Sequence, residues 1–225
     1  MKKTLFISLL VLAFIGLLWM MSARDMNTSS GDLSLPWQIN QTAEGDIQVF
    51  GLTLGQTTLA QAAGQLNVEP EVALFQTPTR ELNLEAYFGR LSIGPLQARL
   101  IAYLAADELM KQGFAEHHLD SEARPSGSLR LRLAPDDFNH AMQLPLQYLV
   151  YLPIVDIERD NLLARFGQPA EILPSEQNSE IWLYPAVGLV IRWFPDDKEV
   201  FHYTNPQQLD QLVKKLKNQA IDPAL

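Results

Sequence analysis

The feature that most constrains this chain is a long apolar run close to its N-terminus. The run covers residues 5–21 and directly follows Lys2, Lys3 and a threonine. A helix rises about 1.5 Å per residue, so some 18 residues reach across the hydrocarbon core of a bilayer. The two lysines predict that residues 1–3 stay in the cytoplasm. The sequence therefore predicts a membrane-spanning helix over residues 4–21, with the rest of the chain on the other side.

A cleaved signal peptide is the alternative interpretation of the same run. Ser22 and Ala23 are small enough for a cleavage site, but Met21 stands where a second small residue is required. The run is also longer than the apolar core of most cleavable signals. We therefore expect a single-pass signal anchor in the bacterial inner membrane, a polar linker over residues 22–36 and a periplasmic domain. Cleavage would leave that domain in the same compartment.

The charge and cysteine content exclude several classes of partner and site. The chain has 17 Lys and Arg against 26 Asp and Glu, a formal net charge of -9. A nucleic-acid binder needs a basic surface to displace counterions from phosphate, so nucleic acid is excluded as a partner. There are no cysteines, which excludes disulfides, thiol nucleophiles, cysteine-bound metals and a lipid-modified cysteine. The expected contact with the membrane is therefore the N-terminal helix alone.

A weak internal duplication organises the rest of the sequence. Residues 54–65 match residues 157–168 at a constant offset, and each copy predicts a short helix closed by a glycine, Gly64 in the first and Gly167 in the second. Strand-like segments follow each copy, and each series ends in a further helix. The sequence thus predicts two similar halves, residues 37–120 and 121–225, packed as one extracytoplasmic unit.

The predicted fold class is α+β, with helices on antiparallel meanders. Strands are predicted over residues 71–76, 82–88, 96–104, 129–133, 171–173, 180–184, 189–194 and 199–204. Helices are predicted over residues 106–114, from Asp136 onward, and after the cap-like pair Asn205 and Pro206. Residues 121–128 are predicted to be a surface connection, and residues 195–198 a tight turn.

The second half resembles a known repeat. Residues 166–169 spell Phe-Gly-Gln-Pro, and a strand with Trp182 and Tyr184 follows, then the apolar segment 189–194. This pattern is similar to the SmpA/OmlA-type repeat of small outer-membrane assembly lipoproteins, and more broadly to β-lactamase-inhibitor-protein-like domains. The whole chain also looks like uncharacterised proteobacterial envelope proteins. The resemblance implies a domain that binds other proteins and performs no chemistry, although this chain lacks the acylated cysteine of those lipoproteins.

Sequence motifs for chemistry are missing from the chain. It has no nucleophile elbow, zinc-protease motif, phosphate-binding loop, dinucleotide fingerprint or calcium loop. Glu116, His117 and His118 form the densest group of potential metal ligands, but adjacent histidines diverge on a helix or strand, so a solvated turn is the favoured interpretation. We therefore predict no catalytic residues, no metal site and no cofactor.

Aromatic residues mark the candidate partner-binding surface of the second half. On a strand, alternate side chains share a face and adjacent ones point to opposite faces. One of the adjacent rings of Trp193 and Phe194 is therefore expected at the sheet surface, unless a helix covers that face. Exposed aromatics are enriched where proteins bind proteins. The predicted surface comprises six residues, which are Trp182, Tyr184, Trp193, Phe194, Phe201 and Tyr203.

Three functions follow from these observations. The first is a membrane-tethered periplasmic module that binds another envelope protein, in envelope assembly or maintenance. The second is a carrier or sensor of an apolar ligand held between sheet and helices, which requires a continuous apolar pocket. The third is a cell-envelope hydrolase, which requires carboxylates or histidines that converge in a cleft.

Overall fold

The computed structural model describes residues 33–175 and 178–218. The predicted membrane helix, residues 4–21, and residues 22–32 of the predicted linker lie outside the described residues. In the described ranges, none of the helices has the length and apolar character needed to span a membrane. Pro36 is buried, and its carbonyl accepts a hydrogen bond from the Tyr203 hydroxyl.

The described chain is an α+β fold with five α-helices and thirteen strands. The helices are α1 (Leu59–Leu66), α2 (Glu108–Glu116), α3 (Pro135–Ala141), α4 (Arg159–Phe166) and α5 (Leu209–Asn218). The first strands are β1 (Asn40–Gln41), β2 (Ile47–Val49), β3 (Leu52–Thr53), β4 (Glu71–Gln76), β5 (Leu82–Ile93), β6 (Leu96–Leu104), β7 (Ser121–Ala123) and β8 (Leu129–Arg132). The remaining strands are β9 (Leu146–Pro153), β10 (Glu171–Pro174), β11 (Glu180–Tyr184), β12 (Leu189–Trp193) and β13 (Val200–Thr204).

Ten strands form one antiparallel sheet in the order β10-β11-β12-β13-β9-β6-β5-β4-β8-β7. The meander β4–β6 and the meander β10–β13 do not pair with each other in the sheet, because β9 lies between them and pairs with both β6 and β13. Strands β1, β2 and β3 form a separate small sheet. One continuous sheet therefore joins the two regions that the sequence predicts to be separate halves.

Each face of the main sheet carries its own apolar cluster, because alternate strand residues point to opposite faces. The larger cluster packs beneath α1 and α4, and holds Leu100 and Tyr151. The second cluster holds Val150 and Val190, and α5 covers it. Helix α5 does so with the apolar stripe predicted from its sequence, whose buried members are Leu209, Leu212, Val213 and Leu216.

Several predicted details are wrong for identifiable reasons. Gly64 lies inside α1, and the helix instead ends at Asn67, which adopts the left-handed conformation at φ 52°. Asparagine tolerates that conformation better than most residues. At the matching position Gly167 does end α4, as predicted. Residues 121–123 form strand β7 rather than a plain connection, and the β7–β8 hairpin pairs with β4, far across the sheet from β10–β13.

The side chain of Asn205 does not cap a helix as predicted. Its Oδ1 accepts the Ile47 backbone N–H at 2.8 Å, and its Nδ2 donates to Asp46 Oδ1 at 2.7 Å and to the Leu54 carbonyl at 3.2 Å. The residue is buried, and buried amides are stabilised by such bonds. Asn205 thus fastens the small sheet to the end of β13.

Candidate partner-binding surface

The six predicted surface aromatics separate into two groups. Trp182, Tyr184, Phe201 and Tyr203 are buried, each with 7% or less of its surface exposed. Their rings belong to the larger cluster, where Phe201 packs edge-on against Tyr151. Burial raises the pKa of the Tyr184 phenol to about 12, and its hydroxyl donates to the Gly167 carbonyl at 3.0 Å. These four side chains hold the core together, and none is available to a partner while Arg159 lies over the Trp182 ring.

Trp193 and Phe194 are half-buried and lie where β12 ends and the turn to β13 begins. The loop from β9 to α4 lies at the same end of the sheet, because the Ile157 N–H donates to Glu199 Oε2 at 3.2 Å. We call residues 154–160 together with residues 193–199 the hairpin end. Both surface aromatics that remain accessible belong to it.

Trp193 belongs to a cluster of four side chains, and the other three hold its ring in place. Its ring stacks on that of Trp182, with 6.3 Å between the centroids. The Arg159 guanidinium, from the first turn of α4, lies 4.8 Å from the centroid of each ring. Arg159 Nη1 also donates to Glu180 Oε2 at 2.8 Å, and the same oxygen accepts the Trp182 indole N–H at 2.6 Å. Two indole rings and one carboxylate therefore converge on a single cation.

This cluster fixes the orientation of Trp193 before any partner arrives. A cation over an aromatic ring contributes about 0.5–1 kcal/mol at an exposed site, and here one cation faces two rings. The Arg159 and Glu180 side chains keep 38% and 27% of their surface exposed, so their ion pair is partly screened by solvent. A rigid, half-exposed tryptophan loses little conformational entropy on binding, which suits an interface anchor.

The hairpin end is strongly acidic. Residues 154–160 and 193–199 contain six acidic residues, which are Asp156, Glu158, Asp160, Asp196, Asp197 and Glu199, against only Arg159 and Lys198. All six except Glu199 are exposed. Val155, 61% exposed, adds an apolar side chain to the same end. The arrangement is an aromatic and apolar patch within a negative rim, which attracts cationic partners.

Glu199 ties the two segments of the hairpin end together. Its side chain is 1% exposed, and in addition to the bond from Ile157 it faces Asp156. Burial, followed by the proximity of the Asp156 carboxyl, raises the pKa of Glu199 to about 7, against the lowering effect of the backbone hydrogen bonds. A buried carboxyl of this kind titrates near neutral pH.

A groove of about 310 Å³ lies at another part of the domain, between α2 and α5. Its lining includes Lys111, Lys215, Glu81 and Glu108, and also the stacked pair of Tyr103 and Tyr148. Lys215 donates to Asn83 Oδ1 at 2.6 Å and pairs with Glu81 at 3.3 Å. Since charged and polar side chains dominate the lining, the groove does not support the apolar-ligand hypothesis.

Within the described residues, no group of three or more His, Asp or Glu side chains is placed to hold a metal ion. His117 follows the last residue of α2 and lies 3.8 Å from Asp137, with most of its side chain exposed. His118 Nδ1 lies 2.6 Å from the Ala115 carbonyl. Glu116 is the last residue of α2, and the exposed His117 and His118 follow it.

Arg159 and Glu180 were not among the predicted surface residues. The period of two along a strand places Glu180 and Trp182 on one face, and this signal was present in the sequence. Arg159 gave no such signal, because only the packing of α4 on the sheet brings it to the two indoles. Its two ring contacts, with Trp182 and Trp193, join residues that lie 23 and 34 positions apart in the chain.

Comparison with known proteins adds no relative. The chain matches no protein-family model, no curated protein and no solved structure. The resemblance to SmpA/OmlA-type repeats therefore stays a prediction, and the function rests on the geometry of the hairpin end.

Proposed function

We propose that this protein is a membrane-tethered periplasmic protein-interaction module without catalytic activity of its own, and that it binds another envelope protein through the hairpin end. The observation that carries the proposal is the half-exposed Trp193, held rigid by Arg159 and Trp182 beside the half-exposed Phe194. Tryptophan anchors of this kind contribute most of the binding energy in many interfaces. Residues 4–21 supply the tether, and Lys2 and Lys3 set its orientation.

The surroundings of Trp193 support a protein partner over a nucleic acid or an anionic membrane surface. The rim is acidic, so it repels phosphate groups. An apolar centre with a polar rim is the usual anatomy of a protein interface. Envelope assembly or maintenance is the role that this location and mode of action suit.

A photo-crosslinking amino acid at Phe194 of the full-length protein, expressed in its own cells, tests the proposal. Leu109 on α2 is the matched control position, since it is a large apolar residue that is 79% exposed. We expect one reproducible crosslinked band from position 194 and none from position 109. The Trp193→Ala substitution, combined with the crosslinker at 194, should remove most of the band.

Mass spectrometry of the crosslinked product identifies the partner and also gives the N-terminal mass, which decides whether residues 4–21 are retained. Equal bands from both positions, or a band insensitive to Trp193→Ala, would contradict the proposed surface. The chain has no cysteine, so Leu109→Cys provides a single thiol for a membrane-impermeant maleimide. Labelling in cells with a permeabilised outer membrane is expected; protection until the inner membrane is lysed would contradict the periplasmic location.

A further inference from the structure

Trp193 of the hairpin end forms, with Trp182 and Glu180 of β11, a cation-binding cage that is filled by a residue of the chain itself. Trp182, Trp193 and Glu180 supply two ring faces and one carboxylate, and the occupant is the Arg159 guanidinium. We propose that this cage is the specificity site of the surface, and that an arginine side chain of a basic partner segment replaces Arg159 there. This inference rests on the proposed function and names the chemistry of the partner.

The occupant itself identifies the chemistry that the cage accepts. A guanidinium is planar, stacks on aromatic rings and donates to a carboxylate at the same time. Arg159 contacts both rings and the carboxylate at once, because its Cζ lies 4.8 Å from both ring centroids and its Nη1 lies 2.8 Å from Glu180 Oε2. A lysine ammonium is a compact, strongly hydrated charge and matches this geometry less well.

Exchange of one arginine for another leaves the contacts of the cage unchanged, so the partner's remaining contacts must offset the entropy lost on association. The incoming guanidinium restores the contacts with both indoles and with Glu180, so the cage itself loses nothing. Arg159 is released from a position where 38% of its side chain is already in solvent, and it remains fully hydrated and charged when free. The balance is then decided by the apolar surface of Trp193, Phe194 and Val155 that the partner covers.

The negative rim selects a basic partner and increases its rate of encounter. Five exposed carboxylates belong to residues 154–160 and 196–197 of the hairpin end, whereas Arg159 and Lys198 are its basic residues. Complementary charge of this kind acts mainly on association rate and on the choice of partner. Binding should therefore weaken as the salt concentration rises.

Nuclear magnetic resonance of the tryptophan indole groups in the full-length, detergent-solubilised protein tests the exchange. The probes are hexa-arginine and hexa-citrulline, which have the same length and shape but differ in charge. Trp37 is an internal control, since its ring carries a separate contact at 4.6 Å from the Arg165 guanidinium. We expect hexa-arginine to shift the Trp182 and Trp193 signals and to leave Trp37 unchanged, and hexa-citrulline to shift none.

Four substitutions then measure the competition. Arg159→Gln removes the internal occupant, so hexa-arginine should bind about 5-fold more tightly, as the loss of one competing cation–aromatic contact implies. Glu180→Gln removes the carboxylate of the cage and should weaken binding about 5-fold or more, whereas Glu71→Gln, which removes an equal charge on β4, should have a smaller effect. Arg159→Lys keeps a weaker occupant, so its affinity for hexa-arginine should lie between that of the wild type and that of Arg159→Gln.

Several outcomes would overturn the cage. The first is equal binding of hexa-arginine and hexa-citrulline. The second is that Arg159→Gln binds hexa-arginine no more tightly than the wild type, and that Arg159→Lys binds it like the wild type. The third is an equal effect of Glu180→Gln and Glu71→Gln on that binding. Shifts of the same indole signals by phosphatidylcholine vesicles, but not by hexa-arginine, would assign the cage to a lipid headgroup instead. Crosslinking at Phe194 is a separate readout, so a partner captured there without any effect of Arg159→Gln would reject the exchange and leave the proposed function standing.

Discussion

At the residue scale, two buried titratable side chains have pKa values that are shifted in opposite directions. Glu199 has its pKa raised from 4.5 to about 7, chiefly by burial. His202 has its pKa lowered from 6.5 to about 3, by burial and by the nearby Arg192. Neither ring nitrogen of His202 has a hydrogen-bond partner in the part of the chain that the structure describes. Stability depends on pH wherever the folded and unfolded pKa values differ.

The two shifts give slopes of opposite sign. A raised carboxyl pKa means that the folded state holds its proton more tightly, so Glu199 reduces stability as the pH rises from about 4.5 to 7. A lowered histidine pKa means that the unfolded state takes up the proton first, so His202 reduces stability as the pH falls from 6.5 towards 3. Between about pH 4.5 and 6.5 the two slopes offset each other, so the combined contribution of the two residues to stability is largest there.

Glu199→Gln should remove the loss of stability at alkaline pH. The amide keeps the bond from Ile157 but cannot ionise, so the free energy of unfolding at pH 8 should rise by up to about 3 kcal/mol, and at pH 5 it should change little. Urea unfolding at the two pH values measures the difference. Glu122→Gln, at an exposed carboxyl, is the control; an equal effect of Glu199→Gln at both pH values would refute the assigned cause.

At the element scale, the turn between β11 and β12 accepts only glycine at position 188. Gly188 has φ 60° and lies between β11 and β12, and a Cβ atom added there would be 1.9 Å from the Thr204 carbonyl oxygen. The Gly188 carbonyl also accepts the Thr204 N–H at 2.8 Å. The backbones of two segments thus meet at a distance that no side chain permits.

Gly188→Ala should therefore destabilise the protein by on the order of 3 kcal/mol or more, because it combines left-handed strain with a backbone clash. Gly51→Ala is a matched control, since Gly51 has φ +77° but no atom within 4 Å of an added Cβ. That control should cost only about 1 kcal/mol, the strain term alone. Thermal unfolding of both variants gives the comparison, and equal effects would show that the close approach is unimportant.

Elements were predictable where the pattern is local. The alternation of apolar and polar residues predicted β6, and the apolar stripe predicted α5, and both are present. The end of α1 was not predictable from Gly64, because Asn67 is an equally competent terminator three residues later. The side chain of Asn205 was also beyond local reasoning, since its partners Ile47 and Asp46 are nearly 160 residues away in the chain.

The order of strands is the property of the whole molecule that the sequence did not reveal. Periodicity assigns strands but carries no information about which strand pairs with which, so the placement of β9 between the meanders and of β8 beside β4 was missed. The candidate site was predicted only in part for the same reason. Six aromatics were identified, but the choice between core and surface depends on which helix covers each face.

A single sheet should unfold in a single step. Trp37, Trp182 and Trp193 are the tryptophans of the described residues, and all three contact the β10–β13 side of the sheet or α4, whereas far-ultraviolet circular dichroism reports on every strand. We expect urea unfolding curves from tryptophan fluorescence and from circular dichroism to coincide, because β9 couples both meanders. A fluorescence transition separated from the dichroism transition would mean that the meander β10–β13 unfolds independently of the meander β4–β6.

The central position of β9 has a consequence for how the chain matures. Tyr151 pairs on one side with Leu100 and on the other with Phe201, so each contact closes a loop of about 50 residues, and folding dominated by such contacts is slow. Until residues 200–204 have been made, β9 is a largely apolar strand with one bare edge, open to association with other chains. The edge of β9 is therefore most vulnerable to association with other chains before β13 has paired with it.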